Sequence, residues 1–236
     1  MVARIRVLFL SSVLIGGFLA GFIFAGFLPE SVLSHWSDFE VSQGRFQEKI
    51  YPPRPDFGPD GLKDLTEDQK RRLFSGEVVM VSSHEGEPEG RTIVSAALIL
   101  KVPVEKAWSA LSATERQIEY LDEIEKLKTI EQAADHNRVE FLVRIMGQKV
   151  RYTVVHRFVP QEYYFWWELD HSACNDLREL YGFWKLYPAG EETVARYGSY
   201  VRPAFPVPGF VRDWLYKRNV QTSLKKVKKF VERAAG

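Results

Sequence analysis

A single cysteine, Cys174, stands in a chain of 236 residues, so neither an internal disulfide framework nor a multi-cysteine zinc site can be built from it. Surplus charge is missing as well. The 32 Lys and Arg face 31 Asp and Glu, a formal charge of +1, which excludes a uniformly basic nucleic-acid binder. No GxSxG elbow, HExxH, phosphate-binding loop or dinucleotide fingerprint occurs, and with them go the commonest hydrolase, metalloprotease and nucleotide-enzyme signatures. Internal repeats and low-complexity tracts are absent. What is present is 45% apolar, 14% aromatic and 27% charged, the profile of a globular protein of one or two domains.

The balanced charge is unevenly spread. Residues 208–236 carry eight basic and two acidic side chains, whereas residues 7–207 carry 22 basic and 29 acidic ones. Between Arg6 and Glu30, the 22 residues Val7–Leu28 contain no charge. As a helix they would span roughly 33 Å, enough for a hydrocarbon core of about 30 Å. Arg4 and Arg6 precede this run, and Glu30, Asp38 and Glu40 follow it. The positive-inside bias then predicts a single-pass anchor with a cytoplasmic N-terminus and the main domain outside, periplasmic if the source is bacterial. A cleaved signal peptide is the competing reading, although its apolar core is usually only about 7–15 residues. Gly17 and Gly21 form a GxxxG pattern, a common small-residue stripe that leaves the oligomeric state open.

Three segments follow from this patterning: an anchor over residues 1–29, a linker over 30–72, and a domain over 73–236. The linker holds four prolines between Tyr51 and Gly61, which reads as an extended spacer. Thr66-Glu-Asp-Gln69 has the spacing of a capping box and opens a short helix toward Phe74. In the domain, strand-like runs at 76–83 and 91–102 precede Pro103, which opens a helix with Val104, Ala107, Trp108 and Leu111 on one face. A second short helix starts at Thr114. Six strands are expected next, over residues 126–131, 138–146, 149–158, 163–170, 178–187 and 193–202. Three prolines then break the pattern before a last helix over 209–234, with Phe210, Val211, Trp214, Val220, Leu224, Val227 and Val231 at helical spacing. The fold class is α+β, an antiparallel curved sheet able to hold the long helix.

The stretch from Ala96 to Gln132, with its strand leading into Pro103 and Trp108, resembles the opening of the START/Bet v 1-like helix-grip (SRPBCC) superfamily, in its polyketide cyclase/dehydrase or coenzyme Q-binding branch. Gly182-Phe-Trp184-Lys-Leu186-Tyr-Pro188 is similar to a late strand of that family, and Pro203 through Arg212 to the start of its grip helix. The Asp and two prolines usual near its first helices are replaced by Ala113, Ile118 and Asp122. The resemblance implies a hollow between sheet and long helix.

Strand parity names side chains that would line such a hollow. With Arg138, Glu140 and Arg144 outward, Val139, Phe141, Val143 and Ile145 point inward; with Lys149, Arg151 and Arg157 outward, Val150, Tyr152, Val154 and His156 do. Phe165 and Trp167 continue the apolar side. Trp184 belongs to the better inward set of its strand, against competing Tyr181 and Phe183, and Tyr197 and Ser199 oppose an outward Arg196. Phe210 and Trp214 would add the helix. Residues 141–187 hold 12 of the 32 aromatics, which fits either an aromatic-walled pocket or a filled core.

Among polar candidates, His156 would bond a ligand or simply a neighbouring backbone group. Arg178 would meet an anion at the cavity mouth or stand free on the surface. Asp170, His171, Cys174 and Asp176 crowd into seven residues, yet neither a full ligand set nor an oxyanion site accompanies them, so a loop is expected and no metal or catalytic residue is assigned. Lys225, Lys226, Lys228 and Lys229 would form a solvated helix face or touch anionic lipid head groups. The expected function is a membrane-anchored binding protein for a lipid, quinone, sterol or polyketide-like molecule, without cofactor or nucleic acid. The alternatives are a cyclase- or aromatase-like enzyme using His156 and Tyr152, and a non-catalytic scaffold with a packed core.

Overall fold

The computed structural model describes residues 54–82, 93–145, 147–204 and 209–234, with side chains for all of these except 145 and 209–217. The expected anchor Val7–Leu28 and the side chains of Phe210 and Trp214 lie outside the described residues. Among the described residues no helix is long and apolar enough to cross a membrane.

Helix α1 (Glu67–Phe74) begins at Thr66, whose hydroxyl accepts from the Gln69 N–H while the Gln69 side chain accepts from the Thr66 N–H, the reciprocal capping box expected from the sequence. Strands β1 (Val79–Ser82) and β2 (Val94–Leu100) lead to α2 (Val104–Ser112) and a 3-10 helix (Thr114–Glu119). A meander follows: β3 (Ile124–Gln132), β4 (His136–Ile145), β5 (Gln148–Val159), β6 (Tyr164–Leu169), β7 (Leu177–Ala189) and β8 (Glu192–Pro203). Helix α3 (Gly209–Ala234) closes the chain. All neighbouring strands are antiparallel, in the order β1-β2-β8-β7-β6-β5-β4-β3. The last strand thus returns to pair with β2, and the helices between β2 and β3 cover the crossover.

The period-2 alternation of β2 explains how both faces become apolar. Ala96, Leu98 and Leu100 pack with Ala107 and Leu111 of α2 and with Leu224, Val227 and Val231 of α3. Ala97 and Ile99 point the other way, to Leu65, Leu73 and Tyr187, with Phe57 and Leu62 against them. A third cluster joins Val139, Phe141 and Val143 of β4 to Val150 and Val154 of β5 and to Leu169, Leu177 and Leu180.

Two expectations change here. The compact unit begins at Arg54 rather than at residue 73. Residues 54–65 are not a free spacer but a turn-rich strap across the outer face, in which Phe57, Leu62 and Leu65 cover β2, β7 and β8. Arg196 does face outward, yet it is only 1% exposed, because that strap lies over it. Its Nη1 donates to the carbonyls of Gly61 (2.8 Å) and Lys63 (3.2 Å), and its guanidinium stacks 3.8 Å from the Phe57 ring centre.

Candidate functional site

Between the inner face of β4–β8, the 3-10 helix and α3 lies a cavity of about 290 Å3. Its wall is laid down strand by strand at alternate positions. Phe141 comes from β4, Tyr152, Val154 and His156 from β5, Phe165 and Trp167 from β6, Leu180 and Trp184 from β7, and Tyr197, Ser199 and Val201 from β8. Leu111, Gln117, Tyr120 and Leu121 close one side, and Asn219, Val220, Ser223, Leu224 and Val227 of α3 the other. No described lining residue is charged in its ordinary state. Gln117 brings a polar group from the 3-10 helix and Asn219 and Ser223 bring theirs from α3, and Asn219 is exposed, so the cavity meets the surface between the 3-10 helix and α3.

Aromatic rings fix the wall. Tyr152 stacks on Phe141 at 5.3 Å, and Tyr197 lies 4.9 Å from Trp184 and 6.0 Å from Trp167. Trp167 sits directly over Gly182, its strand partner. A Cβ added to Gly182 would come within 2.2 Å of the Trp167 ring and 2.7 Å of the Gly198 carbonyl oxygen. Only glycine lets the indole lie this flat against β7. Burial raises the phenol pKa values of Tyr152 and Tyr197, so both hydroxyls stay protonated.

His156 is the one buried ring nitrogen pair in the wall. Its Nδ1 is 2.8 Å from Oδ1 of Asn137, and Nδ2 of Asn137 donates to Oγ1 of Thr114 at 2.8 Å. Asn137 and Thr114 are themselves buried, so a polar chain runs from the cavity wall to the start of the 3-10 helix. Desolvation pushes the His156 pKa down to about 3. The imidazole is therefore neutral at physiological pH.

Of the side chains expected to line the hollow, the structure brings nine to this one cavity: Phe141, Tyr152, Val154, His156, Phe165, Trp167, Trp184, Tyr197 and Ser199. Val139 and Val143 are buried on the same face but pack with Val150 and Val154 instead of bordering the space. Arg178 is exposed and does not border it. A bulge between Leu177 and Glu179 shifts the β7–β8 register there, so strand alternation counted back from the inward Trp184 does not carry to Arg178. Periodicity had put Leu224 and Val227 on the apolar face of α3, but the small polar residues Asn219 and Ser223 carried no signal of their own.

The basic residues of α3 divide. Lys226 sits 3.0 Å from both Asp122 and Glu123. Lys228 donates to the Gly76 carbonyl at 3.1 Å and lies 3.7 Å from Glu232. Lys225 and Lys229 are exposed and border, with Lys228, an open groove beside Gly76–Val78. The acidic loop after β6 has structural partners. Asp170 accepts from Arg138 at 2.5 Å, Asn175 from the Thr153 N–H and Asp176 from the Arg151 N–H, both at 2.8 Å. Among the described residues no group of three or more His, Cys, Asp or Glu could hold a metal ion.

No protein-family model matches the chain, and no curated protein sequence does. Solved structures do match. The Thermus thermophilus protein TTHA0849 aligns with a TM-score of 0.54 at 22% identity, covering 61% of this chain and 99% of that one. The Zhui aromatase/cyclase of a Streptomyces species gives 0.53 at 16%, over 60% and 93%. A STAR-related lipid transfer protein from Xanthomonas axonopodis gives 0.54 at 10%, over 65% and 98%. The solved structures this chain resembles are thus START/Bet v 1-like proteins, and the likeness establishes a helix-grip fold.

Proposed function

We propose that this chain binds a hydrophobic small molecule in the cavity under α3 and presents or transfers it at a membrane to which residues 7–28 tether it. The observation that carries this reading is the cavity itself, about 290 Å3 of space walled by aromatic and aliphatic side chains. Such a wall holds a ligand by removing its apolar surface from water, worth about 25 cal/mol per Å2 before ordering costs. Ligand pockets usually span about 300–1,000 Å3. The volume here suits a single ring system or one aliphatic chain better than a two-chain lipid.

The names of the structural neighbours, one a lipid transfer protein and another an aromatase/cyclase, support ligands of this apolar class. Catalysis of the cyclase kind calls for a group that exchanges protons near neutral pH. His156, with its pKa near 3, is a poor base, so binding is the better reading. The extracytoplasmic placement of the domain, and contact of Lys225 and Lys229 with anionic head groups, belong to the same proposal. Native mass spectrometry of the full-length protein, taken from its own membranes and stripped of detergent, tests it. A reproducible near-stoichiometric added mass is expected. Its absence across growth conditions would overturn carriage.

A further inference from the structure

The direction of the hydrogen bonds around His156 says more about the ligand than the apolar wall does. Asn137 uses its Nδ2 group as donor, to Oγ1 of Thr114 at 2.8 Å and toward Oε1 of Gln132 at 3.4 Å. Its Oδ1 therefore faces His156, and an amide oxygen only accepts. Nδ1 of His156, 2.8 Å away, must carry the proton. In a neutral imidazole the other nitrogen, Nε2, is then a bare lone pair.

That lone pair is unused within the described structure. The hydrogen bond of His156 is to Asn137 through Nδ1. Among the described residues, the buried side-chain nitrogen or oxygen that is both sealed and unpartnered is Nε of Arg196, on the opposite face of the sheet. Nε2 is thus unpartnered but not sealed, and His156 borders the cavity. Strand pairing and ring packing hold it there. His156 is paired with Asn137 across β4–β5 and lies beside Phe158, Trp167 and Phe141 at 6.2–6.5 Å between ring centres.

We infer that the cavity selects a neutral ligand bearing a hydroxyl or similar hydrogen-bond donor, which Nε2 of His156 receives, and discriminates against ligands that offer only an ether or carbonyl oxygen at that point. The inference rests on the carrier reading and deepens it. An ether or carbonyl oxygen would set lone pair against lone pair and leave both polar groups unsatisfied in an apolar site, a cost that a hydroxyl avoids. An anion finds no cation among the described lining residues. Burial keeps the ring neutral, so it does not become a double donor near neutral pH.

The test uses the full-length protein in amphipol, titrated calorimetrically with 2-naphthol, 2-methoxynaphthalene and naphthalene against an empty-amphipol blank. The expected order is 2-naphthol at least tenfold tighter than 2-methoxynaphthalene, with that gap lost in His156→Leu. A second readout needs no variant. In 15N NMR of imidazole-labelled protein, Nδ1 of His156 should be protonated and Nε2 bare, and only 2-naphthol should move the Nε2 resonance. Equal affinity for the naphthol and its methyl ether, or a proton on Nε2, overturns the inference and leaves the carrier reading standing. If none of the three probes binds, the carrier reading falls and takes the inference with it.

Discussion

On the inner side of β7 and β8, Trp184, Tyr197 and Ser199 border empty space; on the outer side of the same strands, Phe183, Tyr187 and Arg196 are sealed under residues 54–65. Both sides are buried, and both bury polar groups, in opposite ways. The inner side keeps a neutral imidazole whose free lone pair faces a void. The outer side holds a cation clasped by two backbone carbonyls and the face of Phe57, with Asp64 near enough to favour its charge. Burial lowers the pKa of Arg196 to about 10, which still leaves it charged at neutral pH. Filled space fastens one side, while the other keeps an unfilled cavity.

The largest effect should come from the outer face. Arg196→Ala removes the stack on Phe57 and both carbonyl bonds, and about 3 kcal/mol of stability should go with them, read as a lowered urea midpoint. Affinity for 2-naphthol, measured on the folded fraction, should change less than twofold; a larger loss would show that the two faces are coupled.

Gly182→Ala attacks the inner face through its wall. The new methyl group collides with Trp167 and with the Gly198 carbonyl, so a loss of about 1–3 kcal/mol is expected. Here ligand binding should fall too, because the indole can retreat only into the cavity. Retained binding would mean that Trp167 is not part of the working wall.

His156→Leu should cost about 1–2 kcal/mol at pH 7 by stranding Oδ1 of Asn137, and it should also change the acid response. The folded pKa near 3 lies below the ordinary 6.5. Between those values the unfolded chain binds a proton that the folded chain excludes, so stability falls as pH drops through that window. The contribution is at most about 1.4 kcal/mol per pH unit. The variant should lack this part of the slope in urea melts at pH 7, 5.5 and 4.5, and parallel slopes would contradict it. Smallest of all, Lys225→Ala with Lys229→Ala should alter stability by less than about 0.5 kcal/mol, since both side chains are exposed.

The β4–β5 hairpin was the most legible region, for a simple reason. Arg138, Glu140, Lys149 and Arg151 mark one side as wet, so Phe141, Tyr152 and His156 had to face the other. The same logic weakens at β7, where Tyr181 and Phe183 are buried against outer-face neighbours and the charge alternation disappears. It breaks at Arg178, because a bulge leaves no trace in residue type. The long helix was visible at 209–234 from its periodicity alone. Asn137 was invisible as a partner of His156, since a cross-strand polar pair has no sequence spacing to betray it. The strap was missed because proline content points to a spacer and not to what that segment lies upon.

That strap also decides how the domain meets mechanical tension. A pull arriving at Arg54 from the N-terminal side acts first on the exposed ion pair with Glu162 and then on Phe57 and the Arg196 clasp, over β7 and β8 near the middle of the sheet. It does not act on the edge strand β1, which a comparable force could peel one hydrogen bond at a time. To detach the strap, the ion pair, the Phe57 packing and the Arg196 clasp must yield in turn. All of these contacts lie on the outer face, apart from the side chains that wall the cavity.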